Sequence, residues 1–285
     1  MAEETRAPHL FSPVQVVLGS LAFTAANLPA IARWSAAPLL YGLGFHYATQ
    51  WLRGERPGGE IDFTVLLLLG VVLLWIRVPL ELRVVRKVLL GENPGQFYGL
   101  ELVEKRTWTY LWAYVRVMCL VVAVLGPAMI LGGVTGQALL SKAAEAFPEW
   151  LVKSGPVLGA FAILALVYFF LAPRIAMVFP DVALGGPGFL FRTGRLGDLA
   201  LEARWRIVAV MAMVWTPEHA VNAMSYLLDE APWWQAVTGQ WWFTLASYLL
   251  GFATLVVSCV AGAMIYGFLR SAAGREEPEP EQEPE

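Results

Sequence analysis

The chain has few charged residues, few cysteines and few histidines, and each shortage excludes a class of protein. Asp, Glu, Lys and Arg together make up 15% of the 285 residues, whereas soluble globular domains contain about 25%. The composition therefore excludes a water-soluble fold of this length. Two cysteines are too few for a secreted disulfide scaffold. The three histidines are scattered and have no carboxylate cluster beside them, so the sequence predicts no metal site and no bound cofactor.

The sequence also lacks the short motifs that mark common catalytic sites. It contains no phosphate-binding loop, nucleophile elbow, HExxH motif or dinucleotide fingerprint. The sequence thus favours a protein without catalysis, although it leaves the question open. Nothing in it supports binding to nucleic acid.

Long uncharged apolar stretches dominate the chain instead. About 20 apolar residues cross the hydrocarbon core of a bilayer as a helix, and several stretches reach that length. The sequence therefore predicts an all-α polytopic transmembrane bundle of about six spans with amphipathic interfacial helices. The predicted segments are a short cytoplasmic N-terminus at 1–11, a transmembrane domain at 12–270 and a disordered acidic tail at 271–285. Within the transmembrane domain we predict an interfacial helix at 12–28 and spans near 29–50, 62–82, 112–136, 155–176, 206–228 and 242–270.

The N-terminal region allows two topologies. Residues 7–32 and 34–52 both lack charge, apart from neutral histidine, and only Arg33 separates them. Between residues 12 and 28 most apolar side chains fall on one helical face, while Gln15, Ser20, Thr24 and Asn27 fall off that face together with Val16 and Phe23. This pattern favours an interfacial helix followed by one span. The alternative makes both stretches spans, which gives seven spans in all.

Basic residues are distributed unevenly over the predicted topology. With six spans, 16 of the 20 Lys and Arg residues fall in the termini and the even-numbered connections. The positive-inside rule then predicts a multi-pass protein of the bacterial inner membrane with both termini in the cytoplasm. The last ten residues contain six Glu and three Pro, a composition typical of disorder.

Several short segments carry a family resemblance. They are the amphipathic helix that ends at Asn27, the segment Arg86-Lys87-Val88-Leu89-Leu90-Gly91-Glu92, the segment Lys105-Arg106-Thr107-Trp108, the segment from Arg174 to Leu184, and Trp205-Arg206. In this order they resemble a broad group of bacterial six-helix integral membrane proteins of unknown function, similar to the membrane domain of some glycerophosphodiester phosphodiesterases. The resemblance implies a six-helix membrane fold. It implies no hydrolase activity, because the phosphodiesterase is a separate soluble domain for which this chain has no room.

One group of polar residues is predicted inside a span. Glu218, His219 and Asn222 lie within about one helical turn of each other, directly after Pro217. Ionisable side chains at membrane depth usually face a cavity or a partner, so one interpretation is a polar site that relays protons or contacts a ligand. The other interpretation ends the span at Pro217 and makes Glu218 a cap of an interfacial helix. The flanking sequence favours the second interpretation.

A second candidate site is a cytoplasmic collar of basic residues that contacts anionic lipid headgroups. Its predicted members are Arg83, Arg86, Lys87, Lys105, Arg106, Arg192, Arg195, Arg204 and Arg206. The alternative is that the positive-inside rule alone accounts for these residues. Near the collar, Arg77 and Glu81 are spaced for an i,i+4 pair. Asp181 either pairs with Arg174 or caps the helix that follows it.

These features lead to three functional hypotheses. The leading one is a non-enzymatic membrane scaffold or accessory subunit that organises lipids or a partner complex. The alternative is a small transporter or lipid translocator with a polar path near Glu218, His219 and Asn222. An intramembrane lipid-modifying enzyme is a weaker third. Membrane lipids are the predicted partners, and the leading hypothesis adds a protein partner or a second copy of the chain.

Overall fold

The computed structural model describes residues 11–55, 63–92, 101–143, 169–188, 195–228, 231–238 and 240–276. These residues form nine helices and no strand. The helices are α1 (Pro13–Ala26), α2 (Leu28–Glu55), α3 (Phe63–Leu90), α4 (Lys105–Ala143), α5 (169–183), α6 (Arg195–Glu202), α7 (Arg204–Leu227), α8 (Pro232–Thr238) and α9 (Trp241–Glu276). The prediction of an all-α chain is confirmed for this part of the protein.

Helix α9 lies at the centre of the packing. It contacts α1, α3 and α7, and it contributes residues to each of the three buried apolar clusters. Val260, Ala261 and Ala263 have no exposed surface. Because alanine has no long side chain, neighbouring helices approach α9 closely along this segment.

Helix α4 is apolar on its outward face. Trp112 and Val122 are more than 60% exposed, whereas Tyr110 and Val117 on the other side of the helix are buried. A helix on the surface of a soluble protein shows the reverse arrangement, with polar side chains outside. The outward face of α4 therefore suits a lipid environment.

Among the described residues, two helices are long and apolar enough to cross a membrane. They are the Lys105–Val124 part of α4 and the Trp241–Gly274 part of α9. A third span results if Pro13–Ala26 and Leu28–Thr49, which meet at an angle of 84°, form one broken span. Helices α3 and α7 overlap the predicted spans near 62–82 and 206–228 but are not among these, so six spans stay a prediction. Most of the predicted span near 155–176 lies outside the described residues. Residues 1–10 of the predicted N-terminus also lie outside them.

The first two helices break at Asn27, between the predicted interfacial helix and the predicted first span. The side-chain amide of Asn27 donates to the carbonyl of Phe23 at 2.8 Å, which closes the last turn of α1. Ser20 on the polar face of α1 has no exposed surface, whereas Leu18 is 60% exposed. The side of α1 that carries Ser20 and Val16 thus packs on the bundle, whereas Gln15 and Leu18 are exposed.

Two helix ends differ from the sequence-based expectations. Helix α7 continues through Pro217 to Leu227, so Pro217 does not end it and Glu218 does not cap a new helix. Helix α9 continues to Glu276, so the first residues of the predicted tail at 271–285 are helical. Ala272 and Ala273 are strong helix formers and extend α9 by its local propensity. Residues 277–285 lie outside the described part.

Candidate functional site

The predicted intramembrane residues of α7 face different surroundings. Glu218 is half-buried and points towards α9, where a Cβ atom on Gly251 would lie 3.8 Å from its Oε1. His219 and Asn222 are exposed. The His219 ring stacks on Trp215 of the preceding turn, with ring centroids 5.8 Å apart. Of the three residues, only Glu218 therefore packs against a neighbouring helix, and a shared site stays a prediction.

Two members of the predicted basic collar are held in ion pairs on α3. Nε of Arg83 lies 2.7 Å from Oε2 of Glu101, and the Arg83 side chain is only 2% exposed. Arg86 pairs with Glu92 and also donates from Nη1 to the carbonyl of Ala183 at 3.1 Å. These arginines therefore join α3 to the segments that follow α3 and α5.

Two cations of the collar make cation–π contacts with the ring of Trp34 on α2. The Arg83 guanidinium lies 5.8 Å from the ring centroid, and Nζ of Lys87 lies 6.0 Å from it. Such contacts contribute about 0.5–2 kcal/mol, with the larger values at desolvated sites. Arg83 and Lys87 thus also fix α2 against α3.

The collar residues of the later helices differ in their exposure. The Arg204 guanidinium lies 5.3 Å from the centroid of the Phe169 ring. Arg195 is exposed and Arg206 is half-buried. Arg192 lies outside the described residues.

Lys105 and Arg106 line an open groove of about 450 Å³ between the first turns of α4 and the end of α5. The other lining residues are Glu104, Thr109, Val182, Gly185 and Gly186. Lys105 is exposed and Arg106 is half-buried. Neither cation makes an ion pair with another described residue. Of the collar, Lys105 and Arg106 are thus the members that the structure places together beside an open volume.

A glycine turn at residues 185–188 forms one wall of this groove. The carboxylate of Asp181 accepts a hydrogen bond from the amide of Gly188 at 3.0 Å and another from the hydroxyl of Tyr266 at 3.1 Å. A Cβ atom on Gly186 would collide with the same carboxylate. Asp181 therefore closes the turn after its own helix and ties that turn to α9, which neither sequence-based interpretation of Asp181 anticipated.

Replacing Tyr266 with phenylalanine is expected to lower the free energy of unfolding by about 1–3 kcal/mol, because the buried carboxylate of Asp181 loses a hydrogen-bond donor. Thermal unfolding in detergent micelles measures the loss. Tyr248→Phe on the same helix is the control, since that hydroxyl makes no hydrogen bond with the described residues and its removal should cost less than about 0.5 kcal/mol. Equal melting temperatures for the two variants would contradict this role of Tyr266.

A buried polar cluster that the sequence did not reveal joins α3 to α4. Glu81 is 2% exposed, and its Oε1 lies 2.6 Å from Nε of Arg77. Its Oε2 accepts hydrogen bonds from Tyr110 at 3.2 Å and from Tyr114 at 2.5 Å. Arg77 also donates from Nη2 to the Tyr114 hydroxyl at 3.1 Å. Every oxygen of Glu81 is thus occupied within the chain, so the cluster fastens two helices.

Within the described residues, no group of three His, Cys, Asp or Glu side chains is arranged to hold a metal ion. The two cysteines there are free, with Cys119 exposed and Cys259 half-buried on different helices. The polar chemistry of the described part therefore consists of ion pairs, the buried cluster and the basic groove.

Comparisons with protein-family models, with curated proteins and with solved structures find no match for this chain. The resemblance to the membrane domain of some glycerophosphodiester phosphodiesterases stays a prediction.

Proposed function

We propose that this chain is a polytopic protein of the bacterial inner membrane that acts as a scaffold or accessory subunit and organises anionic lipids or a partner complex. About six spans, with both termini in the cytoplasm, form part of this proposal. One observation carries it: basic residues from two helices gather around the glycine turn at 185–188. They are Arg86 of α3 and Lys105, Arg106 and Arg116 of α4.

The position of this cluster supports a lipid partner. Lys105 begins the part of α4 that is long and apolar enough to cross a membrane. Trp108 and Trp112, one and two turns further along, are exposed on the outward face. Tryptophan is enriched at the level of lipid headgroups, and clustered Lys and Arg at that level attract anionic lipids. The start of α4 therefore combines both features of a headgroup contact.

The transporter alternative has less support from the same structure. Glu218 packs towards α9, but His219 and Asn222 are exposed on α7. A transport path requires polar groups that converge on a cavity. The basic cluster is the better starting point for function.

Gentle detergent extraction followed by native mass spectrometry tests this proposal. We expect the chain to retain anionic phospholipid, a protein partner or both. A wash at about 1 M salt, where charges are screened beyond about 3 Å, should remove lipids held by surface charge and leave a partner held by apolar contacts. A bare monomer from mild extraction, without lipid or protein, would contradict the proposal.

A further inference from the structure

The basic groove combines two cations that lack an anionic partner with an open volume beside them. Arg83 and Arg86 on α3 are each paired with a glutamate of the following segment. Lys105 and Arg106 line an open volume and form no ion pair with another described residue. A pair of unneutralised cations beside a preformed groove is suited to an anionic ligand.

Arg116 adds a third positive charge near the glycine turn. Its Nη2 lies 3.4 Å from the carbonyl of Pro187. Its Nε is a buried donor that has no acceptor in the described part of the chain. Because a buried donor without an acceptor costs free energy, the surroundings of the turn favour an additional acceptor.

The glycine turn that forms one wall of the groove is held by hydrogen bonds within the turn. The amide of Gly185 donates to the carbonyl of Val182 at 2.9 Å, and the amide of Gly186 donates to the carbonyl of Asp181 at 2.8 Å. Both amides are thus occupied within the turn. Attraction for a ligand must therefore come from the side chains of α4.

The size and the single acid of the groove narrow the class of ligand. Its volume of about 450 Å³ lies in the usual range of about 300–1,000 Å³ for small-molecule sites. Glu104 also lines it, and a carboxylate accepts hydrogen bonds from hydroxyl groups. A phosphate ester with a hydroxyl-bearing substituent therefore fits the lining better than a bare anion does.

We propose that this groove binds the phosphate group of a phosphate ester, with Lys105 and Arg106 on the phosphate and Glu104 on a neighbouring hydroxyl. The exposed Trp108 one turn further along α4 places the groove at headgroup depth and favours a glycerol-type lipid headgroup over a free phosphate. This inference rests on the proposed function, because it gives the proposed lipid contact a specific site.

Lipid titration of the full-length chain in detergent, followed by native mass spectrometry, tests the site. The probes are phosphatidylglycerol, phosphatidylcholine and inorganic phosphate. The groove variant is Lys105→Gln with Arg106→Gln. The control is Arg33→Gln with Arg270→Gln, which removes the same charge from two exposed positions outside the groove. Thermal unfolding verifies that both variants fold. If the groove variant does not fold, Lys105→Gln alone replaces it.

We expect the groove variant to bind phosphatidylglycerol roughly 30-fold more weakly than the wild type, since each basic residue near an anionic headgroup contributes about fivefold. The control should change this affinity by less than about twofold. Equal losses in both variants would overturn the groove but leave the proposed function standing. Wild-type protein that does not prefer phosphatidylglycerol to phosphatidylcholine would overturn both the groove and the lipid contact of the proposed function, which would then depend on a protein partner. Groove-dependent binding of inorganic phosphate, without binding of phosphatidylglycerol, would keep the phosphate site and overturn its assignment to a lipid.

Discussion

Replacing Arg77 with leucine is expected to lower the free energy of unfolding by about 3 kcal/mol. The substitution removes the cation that faces the buried carboxylate of Glu81 at 2.6 Å. Removing one partner of a buried ion pair costs about 3–5 kcal/mol, because the other charge stays buried without compensation. The lower end applies here, since the Arg77 side chain is 33% exposed and water screens part of the interaction. Tyr110 and Tyr114 continue to donate to Glu81.

Thermal or denaturant-induced unfolding of the protein in detergent micelles measures this loss. The variant that carries both Arg77→Leu and Glu81→Leu is expected to recover much of the stability, because an apolar pair can replace a buried ion pair at little net cost. Arg270→Leu removes an exposed arginine and should change stability by less than about 0.5 kcal/mol. If the double variant were no more stable than the single one, an uncompensated carboxylate would not be the cause.

The helices were predictable from the sequence, but the contacts between α3 and α4 were not. Composition and uncharged stretches suffice to predict long apolar helices. Arg77 and Glu81 are four residues apart, and so are Tyr110 and Tyr114, so each pair predicts a shared helix face. The periodicity of the sequence does not indicate which face of α3 packs against which face of α4. The cluster therefore depends on tertiary packing, which cannot be predicted from local patterns in a single sequence.

The collar shows a similar limit for charged residues. The positive-inside rule groups nine basic residues into one class because it counts charge on one side of the membrane. The structure divides them by their partners, since Glu92 and Glu101 neutralise Arg86 and Arg83. These acids lie in the segment after α3, where the sequence offers no signal for pairing. Recognising that Lys105 and Arg106 combine the absence of an ion pair with a shared open groove thus required the fold.

Proline and polarity also gave incomplete signals. Pro217 lies within α7 without ending it. Proline removes the amide that would donate to the carbonyl of Met213, and the Thr216 hydroxyl donates to the neighbouring carbonyl of Ala212 at 2.6 Å. On α1, Ser20 is buried whereas Gln15 is exposed, so the polar residues that the sequence grouped together do not share one environment. The periodicity therefore did not predict which side of α1 packs on the bundle.

Replacing Gly188 with alanine is expected to lower the free energy of unfolding by about 3 kcal/mol. Gly188 has a φ angle of +60°, a left-handed conformation that costs a residue with a Cβ about 1–2 kcal/mol. The added Cβ would also overlap Cγ2 of Val182. Val182 is 1% exposed, so displacing its side chain disturbs buried contacts and overpacking adds about 1–3 kcal/mol.

Gly91 provides a matched control for this substitution. Its φ angle is +67°, and a Cβ atom there would meet nothing within 4 Å. Gly91→Ala should therefore cost only the backbone strain of about 1–2 kcal/mol, and the difference between the two variants isolates the clash with Val182. Because the Gly188 amide holds Asp181 and the glycine turn forms a wall of the groove, Gly188→Ala should also weaken binding of phosphatidylglycerol, whereas Gly91→Ala should not. Equal stability of the two variants would mean that the turn moves to accept the methyl group, and unchanged lipid binding would then follow from the same flexibility.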